Sequence, residues 1–522
     1  MSYRAYPEPA PRPIGYDPVK DLPSNHLAWL IESTVEDALH NQGLPTHPGQ
    51  RPFDPRLCAK VLLYGYATGI RSSRQLERCC RENLPFLLLT RGDTPSYRTL
   101  CSFRVEGADL LEAIWLQLFG VARELGFQRL GRIVIDSSKF LADASAESVV
   151  PADDYEALRQ ELRAVLQEAR DTDDTEDQQS PGTTVLDKEV KPEHMREILR
   201  RVRKQLAAQK KQAHAALTPA PSAAPEARAP LGRGMIPRLK AALTALDQAE
   251  QAGLKHTSLT DPDARMMGEG RDKPIKECHS FEVVVDKDAH LLVVGQVTPE
   301  GADNARLEPL IAAARAQEPV GIVSVDADSG YYKGEVILRV QAQGIDTCVP
   351  DGPTAKRLRC EEWVPTMPLP EAAVPLSVAL RYDAQRDVFV CAKGNVLSVK
   401  QTRQQGGRDV KIYVTETPCT GCPLAVACLR NAASKRRSTS RAVDENNPID
   451  AALARFAEAD HQQRYQDRGM IVETVFGFLR HILGYRRWTL RGTSRVAAEG
   501  TLFKSAYQFR KVYCAWQIAF AA

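Results

Sequence analysis

Short apolar runs with strand character recur along this chain, and a long charged stretch separates the first from the others. Arg132 to Ile135 (RIVI) leads into Asp136; after the interruption come Ser280 to Asp286 (SFEVVVD), Leu291 to Thr298 (LLVVGQVT), Ile322 to Val325 and Ile345 to Val349. Helical spacing lies between them, over Ala305 to Arg315 and near Gly334 to Gln343. Strands of one core on both sides of an interruption predict a mixed sheet covered by helices, an α/β fold, with the first strand stopping at Asp136. A chain of 522 residues, 43% of them hydrophobic, has ample material for such a core.

The flanking segments read differently. Leu27 to His40, Pro55 to Ile70, Arg71 to Asn83, Ser96 to Phe103 and Ala108 to Leu125 carry helical spacing, so residues 1–127 are expected to form a helical N-terminal, DNA-binding domain behind an extended, proline-rich opening. Residues 128–150 begin the sheet. Residues 151–255 read as a helical insertion, with charged helices on either side of an acidic loop and the tract TPAPSAAPEARAP; its basic half, Lys191 to Lys211, suits DNA or a solvated hairpin equally well. Residues 256–350 continue the sheet, 351–445 form a second insertion that contains a cysteine cluster, and 446–522 are helical and basic.

The 69 basic residues nearly cancel the 66 acidic ones, so any nucleic-acid surface must come from local clustering. No apolar run approaches the ~18 residues that span a bilayer, and the N-terminus lacks a signal-peptide core. An intracellular, cytoplasmic protein without a membrane partner is expected, its twelve cysteines reduced or bound to metal.

Four acids stand where chemistry is plausible. Asp136 ends a strand, and VSVDADSGYY places Asp326 and Asp328 at the entrance to a Gly-containing turn; on local pattern either is a candidate. In the helix around RGMIVETVFGFLRHI, at about 100° per residue, Ile471, Val472, Val475, Leu479 and Ile482 form one stripe while Glu473 and Arg480 share the opposite side. Tyr465 and Arg468 lie one or two turns earlier. Three carboxylates on separate elements of one sheet suit a pair of Mg²⁺ ions, because hard cations prefer oxygen ligands.

These residues together resemble the DDE transposases of bacterial insertion sequences: Asp in IVIDSSKF, Asp in DADSGYY, and Tyr465, Arg468, Glu473 and Arg480 in the order Y-x-x-R-x-x-x-x-E-x-x-x-x-x-x-R/K. The likeness extends to LLYGYATGIRSSRQLERCCREN, PSYRTLCSFR, DPDARMMGEG and RRWTLRGTSRVAAEGTLFKSAYQFRK. The family more usually has Lys where this chain has Arg480, which keeps the charge but changes its hydrogen-bonding geometry. The resemblance implies an RNase H-like core and catalytic, metal-binding Asp136, Asp328 and Glu473, selecting Asp328 over Asp326. It further implies Mg²⁺ or Mn²⁺ as cofactor, terminal-inverted-repeat and target DNA as partners, and action as a homo-oligomer. The reaction expected is cleavage at the element ends followed by strand transfer, through two-metal phosphoryl transfer. A related nuclease without strand transfer, or a protein that binds terminal repeats without cutting, are the competing readings.

Cys419 and Cys422 form a C-x-x-C, Cys428 follows, and Cys391 ends a strand-like VFVC; four thiolates suit a structural Zn²⁺, and unligated core thiols are the alternative. Cys58, Cys79, Cys80 and Cys101 read as core. For DNA, Arg71, Arg74 and Arg78 in the first domain and Tyr465, Arg468, Arg480, Arg487, Trp488 and Arg491 near the end are the candidates, guanidinium groups for phosphate and Trp488 for a base.

Overall fold

Local caps and helical spacing account for how the chain begins. In the computed structural model, which describes residues 17–39, 53–127, 131–179, 235–268, 274–301, 303–317, 321–352, 380–383, 385–405, 408–429, 434–442 and 455–521 and isolated positions at 200, 204, 354, 355, 358 and 452, seven helices come first. They are α1 (Pro18–Asp21), α2 (Leu27–Leu39), α3 (Pro55–Ala67), α4 (Ser73–Glu82), α5 (Leu84–Thr90), α6 (Tyr97–Glu106) and α7 (Ala108–Glu124). Asp54 accepts from Arg56 N at 2.9 Å ahead of Pro55, and Ser96 accepts from Thr99 N at 3.2 Å, so side chains satisfy amides that the helix cannot. Gly65 lets α3 and α4 approach: a Cβ there would lie 2.4 Å from Leu76 Cδ2. Of the proline-rich opening, residues 1–16 lie outside the described residues, while Pro18–Asp21 form α1 where an extended chain was expected; the Ala/Pro tract and the basic stretch 191–211, apart from 200 and 204, also lie outside them.

The main sheet follows from β1 (Arg132–Leu141), β4 (Arg265–Met267), β5 (Lys276–Asp286), β6 (Leu292–Thr298), β7 (Ser324–Ala327) and β8 (Asp346–Cys348). Its order is β4-β5-β1-β7-β8, with β6 also on β5. β5 pairs antiparallel with β1 and β6, whereas β1, β7 and β8 run parallel. β1 does not stop at Asp136. It continues through Leu141 because the long β5 pairs with it from Ile133 to Leu141, Asp136 lying opposite Val283.

The sheet has two covered faces. Ile133, Ile135 and Val284 pack with α10 (Leu307–Gln317) and α11 (Gly334–Ala342). Val134, Phe140, Phe281 and Val283 pack into the larger core, shared by the N-terminal helices, α13 (Ala459–Gly477) and α14 (Thr493–Ala521). Apolar residues surround much of α14, as burial on several sides requires: Leu502, Phe503, Phe509 and Val512 are all buried between the sheet and α3 and α7. The first and last segments of the chain therefore share one core.

Two further units stand beside this core. β2 (Val149–Pro151) pairs with β3 (His256–Ser258), and α8 (Tyr155–Gln179) packs on α9 (Met235–Gln251) through Leu158, Leu162, Leu239 and Leu246. Between β8 and α13, the strands β9 (Leu380–Asp383), β10 (Val388–Cys391), β11 (Val396–Gln405), β12 (Arg408–Thr415) and β13 (Ser438–Ala442) form an antiparallel sheet in the order β13-β12-β11-β10-β9, and α12 (Ala425–Cys428) precedes its last strand.

Candidate active site

Parallel pairing decides which acids meet. β1 and β7 are in register up to Ile135 opposite Ala327, so the next residue of each strand is an aspartate, Asp136 and Asp328. Neighbouring strands lie about 4.8 Å apart, which leaves little room for two charges without a cation. That cation comes from α13: Arg468 donates from Nη1 to Asp136 Oδ2 at 3.0 Å and lies with Nη2 3.5 Å from Asp328 Oδ1. Tyr465, three residues earlier on the helix, donates its hydroxyl to Asp328 Oδ1 at 2.9 Å. Arg468 Nε is buried and has no hydrogen-bond partner among the described residues.

Loss of solvent dominates the electrostatics. Burial pushes the Asp136 carboxyl up to about 6; Arg468 and the Ser137 amide pull it down, and the nearby Asp328 adds to the rise. Asp303, ahead of α10, is raised too, first by burial and in smaller part by Glu282 and Asp328, while Lys139 and Ser137 oppose the shift. Ser137 donates to Asp303 at 3.1 Å, Lys139 stands 3.7 Å from the same carboxylate, and a Cβ on Gly330 would lie 3.2 Å from it. Sequence reading missed Asp303, since nothing local marks an acid in a loop.

Glu473 is on α13 as well, exposed and five residues beyond Arg468. At about 100° per residue that separation turns it roughly 140° away from the Arg468 side. Among the described residues, no group of three or more His, Cys, Asp and Glu is gathered so as to hold a metal ion. The structure thus brings Asp136 and Asp328 together under the helix that carries Glu473.

Asp326 has a different environment from Asp328. It is fully buried, paired with Arg464 at 2.6 Å and Lys287 at 3.3 Å. The α13 stripe also departs from its expected course. Ile471, Val472, Val475 and Leu479 are buried, but Ile482 is 69% exposed, because a π-helical turn at Phe478–Ile482 adds a residue and rotates it off the stripe. Arg480 follows that rotation and donates to Lys139 O at 2.7 Å, above the Phe140 ring.

The residues read as DNA ligands divide by location. Arg74, Arg78, Arg487 and Arg491 are exposed, Arg491 paired with Asp143 and Arg78 with Glu82. Arg71 turns inward, donating to Arg487 O at 2.6 Å and covering the Tyr485 ring. Trp488 is fully buried and stacked on Phe503 at 4.5 Å, with no ring face for a base. An indole between arginines resembles a DNA contact in sequence; burial of apolar area puts it inside.

In the cysteine-bearing sheet, Cys391 closes β10, Cys419 and Cys422 bound a turn in which Gly421 takes φ +80°, and Cys428 ends α12. Burial raises the Cys428 thiol first; Arg437 opposes, and Cys419, Cys391 and Cys422 add to the rise. Cys58, Cys79 and Cys80 are buried as expected, but Cys101 is exposed.

Comparison with known families gives two matches. Residues 390–513 match the Transposase DDE domain, and residues 17–106 match the Transposase domain (DUF772). The first takes in the cysteine-bearing sheet from the end of β10 onward, α13 with Glu473 and most of α14 but not Asp136 or Asp328; the second covers α1 to α6 but not α7. No curated protein matches the chain. Among the described residues no helix is long and apolar enough to cross a membrane.

Proposed function

We propose that this chain, which its two domain matches support as an insertion-sequence DDE transposase, cuts DNA at terminal inverted repeats and joins the ends to target DNA. The observation that carries the reading is the adjacency of Asp136 and Asp328 just beyond the parallel pairing of β1 with β7, under Tyr465 and Arg468 of the helix that bears Glu473. An RNase H-like core is supported by three antiparallel strands, β6-β5-β1, continued by parallel β7 and β8 with helices on both faces.

Asp136 and Asp328 offer the oxygen ligands that a hard divalent cation prefers, at a place where burial disfavours the Asp136 charge, whereas Glu473 is exposed on the far side of α13 and joins them only if that helix turns. Asp136, Asp328 and Glu473 would hold Mg²⁺ or Mn²⁺, which when bound would activate the attacking oxygen and stabilise the leaving one. Tyr465 orients Asp328 through its hydroxyl. Arg468 holds the two aspartates together, and its unpaired Nε–H offers a donor to a phosphate oxygen. Exposed Arg74, Arg78, Arg487 and Arg491 supply phosphate contacts that position DNA. The reading includes a homo-oligomer acting in the bacterial cytoplasm at the nucleoid.

A structural Zn²⁺ on Cys391, Cys419, Cys422 and Cys428 is part of the proposal; it rests on the Cys419–Cys422 turn and on Cys391 and Cys428 at the ends of β10 and α12, which are not gathered into a metal cluster among the described residues. Elemental analysis of purified protein and of Cys422→Ser tests it: stoichiometric zinc that the variant loses is expected, and zinc-free folded wild type refutes it.

The test of function is cleavage and joining of labelled DNA carrying the element's own repeats, with Mg²⁺. Wild type cuts and joins, while Asp136→Ala, Asp328→Ala and Glu473→Ala bind the DNA and do neither. Cutting without joining makes the protein a nuclease, and full activity of any of these three variants removes that residue from the reading.

A further inference from the structure

Arg464 lies one helical turn before Arg468 on α13, and the two arginines face acids on three adjacent strands and their ends. Arg468 takes Asp136 and Asp328; Arg464 takes Asp326 on β7 at 2.6 Å through Nη2, and its Nη1 pairs with Asp346 on β8. The far oxygens are occupied as well, Asp326 Oδ2 by Lys287 at 3.3 Å and Asp346 Oδ1 by Arg455 at 2.6 Å.

The match has a geometric cause. Four residues of helix advance about 6 Å, and two residues of strand, which share a face, advance about 6.6 Å. The Arg464/Arg468 pair therefore meets the Asp326/Asp328 pair rung for rung, the helix running in the direction of the strand. A slip of one residue would shift α13 by about 1.5 Å and turn it by about 100°, separating both pairs at once. Because Asp326 is fully buried, its charge needs these partners in a way an exposed ion pair would not.

We propose that Arg464, held by Asp326 and Asp346, is a positioning residue for the carboxylate site, setting where α13 presents Tyr465, Arg468 and Glu473 to Asp136 and Asp328. The inference rests on the catalytic reading above. Arg464 touches neither substrate nor reacting atoms; it acts through the helix.

The experiment compares full-length wild type, Arg464→Met, Arg464→Lys, Asp346→Asn and Asp136→Ala by thermal melting, DNA affinity, and single-turnover cleavage across Mg²⁺ concentrations. Misplacement of a catalytic group by about 1 Å lowers rates on the order of 100-fold. Arg464→Met is expected to bind DNA as wild type does and to lose about that factor in rate at saturating Mg²⁺, with Arg464→Lys recovering part of it. Asp346→Asn, which keeps the Arg464–Asp326 pair, is expected to melt as wild type does and to lose rate by about tenfold. If Arg464→Met folds and cleaves at the wild-type rate while Asp136→Ala is inactive, the positioning role is wrong and the catalytic reading stands. If Asp136→Ala also cleaves, the catalytic reading itself fails. Should Arg464→Met not fold, Asp346→Asn decides: an unchanged rate overturns the proposal.

Discussion

Removing Glu499 should detach the end of the chain from its beginning, and the structure sets the size of the effect. This fully buried carboxylate on α14 accepts from Thr489 N at 2.7 Å, Leu490 N at 3.1 Å, Thr489 Oγ1 at 2.7 Å and Tyr66 Oη at 3.2 Å. Arg71 stands 3.7 Å away. Hydrogen bonds to a charged group contribute roughly 1.5 kcal/mol or more each, and some donors regain water once the side chain is gone, so Glu499→Ala should cost about 4–6 kcal/mol. At roughly 2–4 °C per kcal/mol, the melting midpoint should fall on the order of 10 °C. Glu499→Gln keeps the shape and one acceptor oxygen but turns an NH₂ toward donors, so its loss should be about half as large. Thermal and urea unfolding of the three proteins measure this order. A Glu499→Ala loss below about 1 kcal/mol would refute the reasoning, because a buried acceptor of four donors cannot be removed so cheaply.

Asp286, buried at the end of β5, has a carboxyl raised to about 6, chiefly by burial and against the amides of Ala289 and Asp288. A raised folded-state value means its contribution to stability is complete below the ordinary range near 4 and is lost as pH rises through about 6. Asp286→Asn should therefore gain about 2 kcal/mol over wild type at pH 8 and nothing at pH 4, allowing for some screening; equal gains at both pH values in urea titrations would contradict this. Tyr465→Phe removes the bond to Asp328 without removing the ring, so cleavage should slow about tenfold with a melting midpoint within a few degrees of wild type; an unchanged rate would show that the hydroxyl does not orient Asp328. Trp488→Ala opens a cavity among Phe140, Phe281 and Phe503, and chemical unfolding should show a loss of about 3–5 kcal/mol. A selective loss of DNA affinity at wild-type stability would restore Trp488 as a DNA contact.

Local pattern was enough to recover the N-terminal helices, the strand runs, Asp328 just past a strand end, and Tyr465 and Arg468 a short step apart on one helix. These depend on side-chain periodicity and turn residues within a few positions of each other. The tertiary structure decided what each charged group meets: Arg468 reaches Asp136 across 332 positions of sequence, Arg464 takes buried Asp326, and Asp303 enters from a loop. It also turned Arg71 and Trp488 inward, extended β1 beyond Asp136, and rotated Ile482 into solvent through a π-helical turn. Pairing partners and burial arise from surfaces brought together by the fold, whereas helical and strand periodicity is already present along the chain.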